Sequence, residues 1–218
     1  MKRTLFVAAV AVGLMALIDG VISPGYFPKS LAKIALFLVL PIATGGIKAN
    51  PGSFLKVSGK REIITSVILG VGVYLSILGV YMLLSPYLDL DRIRALLGEQ
   101  LGVVKENFIL VAIYISFVNS LIEEFFFRGF LFLGLLKRTT RLKAHNISAG
   151  VFAIYHLAIL KGWFSPMIFA LAMAGLFVGG LIFNLLNERN GNIISSWLVH
   201  MMANLAINTV GLLMFGIL

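Results

Sequence analysis

Two adjacent glutamates and an arginine, Glu123, Glu124 and Arg128, fall inside an apolar stretch over residues 108–136. A charged side chain near the centre of a bilayer costs roughly 3 kcal/mol even on lenient insertion scales, so such groups are functional candidates and each needs a partner. Later apolar stretches hold two histidines, His156 and His200, with Asn204 four residues beyond the second. The chain has no cysteine, which removes disulfides, thiolate zinc sites and cysteine nucleophiles from consideration. What these residue types can do is move protons, donate hydrogen bonds to a developing oxyanion, or ligate a metal.

Helical spacing sorts them. Residues four apart share a face, so Glu124 and Arg128 stack with the acid toward the N-terminus, the favourable order, and offset one another's charge as a buried pair. Glu123 lies about 100° round the helix and faces elsewhere. In apolar surroundings such a carboxylate becomes a useful general base. His200 and Asn204 share a face in the same way, and Phe152 stands one turn before His156. Counting about 1.5 Å per residue from the cytoplasmic helix ends puts Glu123, His156 and His200 about 21, 16 and 15 Å deep, a similar level to within about one helical turn. His145, between Lys143 and Asn146, is expected at the surface.

The elements that would carry these groups are membrane helices. Of 218 residues 60% are hydrophobic and 12% charged, and mean hydropathy is +1.01. These values predict an all-α, polytopic transmembrane helix bundle of about seven to eight helices, with a site buried between helices near mid-membrane. Seven apolar segments are legible, at about 5–18, 31–44, 63–84, 108–136, 147–160, 166–186 and 193–217. The last is long enough to be a broken pair of short helices. With the N-terminus in the cytoplasm, eleven Lys and Arg residues, Lys48 among them, fall in inner connections and six, including Lys29 and Lys33, in outer ones. The positive-inside rule then predicts an N-in, multi-pass protein of the cell membrane. The net charge of +9 is explained by that topology, and nucleic acid is not an expected partner. Lys2 and Arg3 before an apolar stretch resemble a signal peptide, but residues 16–20 lack a small-x-small cleavage pattern, so a retained first helix is expected.

The chain divides by character. Residues 1–106 keep their ionisable groups at helix ends and in loops, which suggests scaffold or substrate gate. Their last part, 89–106, has the pattern of a short amphipathic surface helix. Residues 107–218 carry the polar groups within spans and form the expected catalytic core. In the sixth segment Gly175 and Gly179, with Ala170 and Ala174, have the spacing of a close helix contact.

Three motifs in order, Glu-Glu-x-x-x-Arg (Glu123, Glu124, Arg128), Phe-x-x-x-His (Phe152, His156) and His-x-x-x-Asn (His200, Asn204), resemble those of the CAAX protease and bacteriocin-processing family of intramembrane proteases. The best-known branch comprises prenyl-protein endopeptidases. The resemblance implies a peptide hydrolase acting on a membrane-associated peptide or protein in the lipid bilayer. Glu123, assisted by His156, would activate water, and His200 and Asn204 would donate to the oxyanion. The same side chains leave a metal reading open, since Glu123, His156 and His200 are adequate ligands for a divalent ion such as zinc, making the protein a metalloprotease. Against it, they come one from each of three helices, without the paired histidines of the His-Glu-x-x-His type. Two other functions place such groups at mid-membrane. A proton-coupled transporter predicts no cleavage product and little need for Asn204; a non-enzymatic immunity or partner-binding protein would use the motifs only to hold its bundle together.

Overall fold

The computed structural model describes residues 1–45 and 51–218. Lys48, counted above on the inner side, lies outside the described residues. Among those described there is no strand, and eight helices account for most of the chain. We number them α1 (Lys2–Ile22), α2 (Tyr26–Ala43), α3 (Lys60–Tyr87), α4 (Leu90–Leu101), α5 (Lys105–Leu136), α6 (Arg141–Leu160), α7 (Pro166–Asn190) and α8 (Ile194–Met214).

Six of these, α1, α2, α3, α5, α7 and α8, are long and apolar enough to cross a membrane. Their outward side chains are apolar: Phe6, Phe27, Leu83, Leu110 and Met167 are each at least 70% exposed. That surface suits lipid and is a liability in water. The protein is thus an all-α, polytopic integral membrane protein. The segment expected at 147–160 is part of α6, whose 20 residues reach about 30 Å. Arg141, Lys143, His145 and Asn146 in its first turns keep it below the apolarity of the other six, and it packs against α1 and α7. The final segment is a single unbroken helix, because nothing in 194–214 interrupts its ladder.

α4 is the amphipathic helix expected in 89–106. The Asp89 side chain accepts from the Arg92 N–H at 2.9 Å as an N-cap. Ile93 is buried, and Leu97 and Leu101 pack on a cluster of Val103, Phe108 and Phe215. The main core is aromatic: Phe37 of α2 stacks on Phe126 of α5 with ring centroids 4.2 Å apart, and Phe127 and Tyr155 of α6 meet Phe37 edge-on. This stack fixes α2 and α6 against the middle of α5. Within α5, wide i→i+5 turns at Ile115–Asn119 and Phe125–Phe132 flank the regular turn Ser120–Glu124 that carries both glutamates. Wide turns of this kind recur at functional sites.

The close approach expected of α7 occurs at a different glycine. A Cβ on Gly175 or Gly179 would meet nothing within 4 Å, whereas one on Gly180 would lie 3.0 Å from the Ala149 Cα of α6. Spacing identifies a small-residue stripe but not which side of it faces a neighbour. Gly180→Ala is expected to cost about 1–3 kcal/mol through overpacking against backbone. Gly179→Ala should be neutral or slightly stabilising through helix propensity. Thermal unfolding in detergent, run side by side, checks the contrast.

Candidate active site

Three helices bring Glu123, His156 and His200 together. Glu123 of α5 is 2% exposed, and its Oε2 lies 4.0 Å from His156 Nε2 of α6 and 3.8 Å from His200 Nε2 of α8. Each imidazole is fixed through its other nitrogen. His156 Nδ1 is 2.8 Å from the Phe152 carbonyl oxygen, and His200 Nδ1 is 2.9 Å from Glu124 Oε1. Both partners can only accept, so Nδ1 carries the proton in each ring, and a neutral ring presents its Nε2 lone pair toward Glu123. Aromatic rings complete the support: Phe152 stands edge-on to His156 at 4.7 Å, and Phe183 stacks on His200 at 5.2 Å.

Glu124 and Arg128 form the expected pair. Arg128 Nη1 donates to Glu124 Oε1 at 3.0 Å, with both side chains fully buried. The remainder of the guanidinium faces rings, with its central carbon 4.1 Å from the Phe152 centroid and 4.8 Å from that of Phe183, favourable cation–π geometry in a dry setting. One feature departs from a purely structural pair. The same Glu124 oxygen also receives His200, so it ties the ion pair to the candidate chemistry.

Glu123 does not sit in apolar surroundings. Its Oε1 accepts from the Lys33 ammonium of α2 at 2.8 Å and from the Asn119 amide at 3.0 Å, while Lys33 also donates to Asn119 Oδ1 at 2.7 Å. This corrects two expectations. Lys33 is not in an outer connection, because α2 begins at Tyr26 and carries it inside the helix, where it is 4% exposed. Residues 1–106 are therefore not free of ionisable groups at the site. Asn119 was legible, being one turn before Glu123 on the same face; Lys33 left only the weaker signal of a lysine running directly into an apolar stretch.

Asn204 Nδ2 donates to the Ile115 carbonyl at 3.2 Å, and its side chain lines the same cavity of ≈ 170 Å³ as Lys33, Asn119, Glu123, His156 and His200. His145 is not a surface residue: it is 7% exposed, packs on Phe132, and its Nε2 lies 2.9 Å from Glu188, which Arg141 also engages. The acid on α7 that draws it inward is too distant in sequence to have been read.

By type, Glu123, His156 and His200 could hold zinc. Ligands about 2.0–2.1 Å from a tetrahedral ion stand about 3.3 Å from one another, closer than the 4.0 and 3.8 Å observed. No group of three His, Cys, Asp or Glu side chains among the described residues is gathered tightly enough for an ion, and Glu123 already has an ammonium as counter-ion. As arranged, these residues do not fit a zinc ion.

In the interior of a polytopic helical membrane protein, a glutamate facing two oriented imidazoles is an arrangement able to activate a water. Residues 105–206 match the family model described as "Type II CAAX prenyl endopeptidase Rce1-like". The segment is just under half of the chain and spans every motif residue from Glu123 to Asn204. Over that segment the chain resembles the Rce1-like family within the CAAX proteases, which supports a CAAX-type intramembrane endopeptidase. No curated protein and no solved structure gives a match.

Proposed function

We propose that the protein hydrolyses a peptide bond in a membrane-anchored protein or peptide, with Glu123 as general base and water as nucleophile. The observation that carries this reading is Glu123 Oε2 facing two Nε2 atoms at 4.0 and 3.8 Å, separations suited to groups that share one bridging water. Glu123 Oε2 takes a proton from the water as its oxygen bonds to the scissile carbonyl carbon. The His156 Nε2 lone pair accepts the water's second hydrogen as a hydrogen bond and holds the attacking lone pair on line. The tetrahedral oxyanion is met by Asn204 and His200. Because Glu124 holds His200 through Nδ1, His200 donates from Nε2 only when both ring nitrogens carry hydrogen, and the Glu124 carboxylate orients the ring for that role as the buried acid does in a serine-protease triad. The proton on Glu123 then passes to the leaving amine as the C–N bond breaks.

A base that must be ionised and an imidazole that must be protonated give a bell-shaped dependence of kcat on pH. The decisive assay uses purified protein in vesicles with a fluorogenic peptide bearing a prenylated CAAX-type tail, beside its unprenylated counterpart. Cleavage of the prenylated peptide, undiminished by a chelator, is expected. Absence of any product overturns the hydrolase reading. Loss on chelation with recovery on adding zinc overturns the metal-free assignment.

A further inference from the structure

Lys33 lies outside the matched segment 105–206, on a helix that reaches the site from the other half of the chain. Its ammonium makes a closed triangle: it donates to Glu123 Oε1 and to Asn119 Oδ1, and the Asn119 amide donates to the same Glu123 oxygen. Asn119 is thereby fixed in orientation, and Oε1 is fully engaged on one side of the carboxylate. The position of Lys33 is set by packing. One turn later Phe37 stacks on Phe126 of α5, and the Lys33 ammonium lies 5.1 Å from the Tyr155 ring centroid. The lysine one turn earlier cannot substitute, because Lys29 is paired with Asp19 at 2.7 Å.

Other groups act on Glu123 less directly. His156 and His200 face its second oxygen from α6 and α8. Tyr26, Tyr155, Lys29 and Arg128 lie within electrostatic range, but both of these cations have carboxylates of their own. A buried Lys–Glu pair is a poor device for stability, since desolvating two charges offsets most of their attraction. As a device for orienting one carboxylate and keeping it charged, it is effective.

We propose that Lys33 is a positioning residue for hydrolysis: it keeps Glu123 ionised and, with Asn119, engages Oε1 so that Oε2 is the oxygen presented to His156 and His200. The proposal rests on Glu123 being the base, and its test separates the two. Dicyclohexylcarbodiimide partitions into bilayers and adds to protonated carboxyl groups, the acid proton passing to a carbodiimide nitrogen as the carboxyl oxygen bonds to the central carbon. Labelling is read by peptide mass spectrometry on vesicle-embedded protein at neutral pH, with E123Q marking the background. The parent and Lys33→Arg should stay near that background, and Lys33→Met should label at Glu123 at least about tenfold more, because an unpaired buried carboxylate takes up a proton. Lys33→Met as resistant as the parent, Lys33→Arg labelling as strongly as Lys33→Met, or Glu123 and Glu124 labelling together would each overturn the proposal. The last outcome would place Lys33 among the groups that hold the core. On the prenylated reporter, Lys33→Met should lower kcat by about 100-fold with KM within about twofold, and Lys33→Arg should recover most of it. A parent that cleaves nothing sinks the hydrolase reading, while the labelling still decides the role of Lys33.

Discussion

Glu123→Gln is expected to lower kcat by about 10²–10⁴-fold, the usual contribution of a general base, while the protein remains folded and inserted. Glutamine matches glutamate in size, and its amide oxygen can still accept from Lys33 and Asn119 at the position of Oε1. What it lacks is an oxygen able to take a proton at the place that faces His156 and His200. The substitution leaves the Lys33 ammonium without its counter-charge, but Lys33 lines a cavity into which its flexible stem can turn, so the stability loss should be smaller than for a sealed pair. Cleavage of the prenylated reporter and thermal unfolding in detergent, measured on the same preparation, separate the two effects. A rate near that of the parent would sink the proposed mechanism, since no other described carboxylate faces both imidazoles.

Much of this site was legible because helix geometry is local. The four-residue spacing of Glu124 and Arg128, and the turn between Glu123 and that pair, follow from 3.6 residues per turn whatever the rest of the chain does. Counting depth brought Glu123, His156 and His200 to one level, and the helices meet there. What periodicity cannot supply is the identity of the neighbour across a face. Lys33 is 90 residues from Glu123, and a lysine close to the start of the apolar segment 31–44 reads as readily as the edge of an outer connection as it does as a buried partner. Gly180 rather than Gly175 or Gly179 meets α6 because the rotation of α7 is set by packing. His145 is drawn inward by Glu188, 43 residues away. The hydrogen bond from His200 to Glu124 also escaped, because depth says which residues are level and not which ring nitrogen points where.

That hydrogen bond changes what the Glu124–Arg128 pair is expected to do when it is broken. Arg128 and Glu124 are both fully buried, and removing one partner of a sealed pair leaves an uncompensated charge, at a cost of about 3–5 kcal/mol. Arg128→Met should therefore lower the apparent melting temperature in detergent by on the order of 10 °C, with part of the loss coming from the Phe152 and Phe183 rings that the guanidinium covers. Glu124→Gln should lose a similar amount, because Arg128 keeps its charge. The double variant Glu124→Gln/Arg128→Met carries no unpaired charge and should be less destabilised than the two single losses added together. That non-additivity is the mark of direct coupling between the two residues, and additive losses would show that they act independently. Activity divides the variants differently from stability. Arg128→Met leaves the Glu124 side chain on His200 Nδ1 and should retain kcat in the folded fraction to within about tenfold, whereas Glu124→Gln replaces the acid that holds the ring and should lower kcat toward the 10²-fold end of the general acid–base range. Equal kcat in the two folded variants would return Glu124 to a structural role alone and leave His200 to be oriented by Phe152 and Phe183.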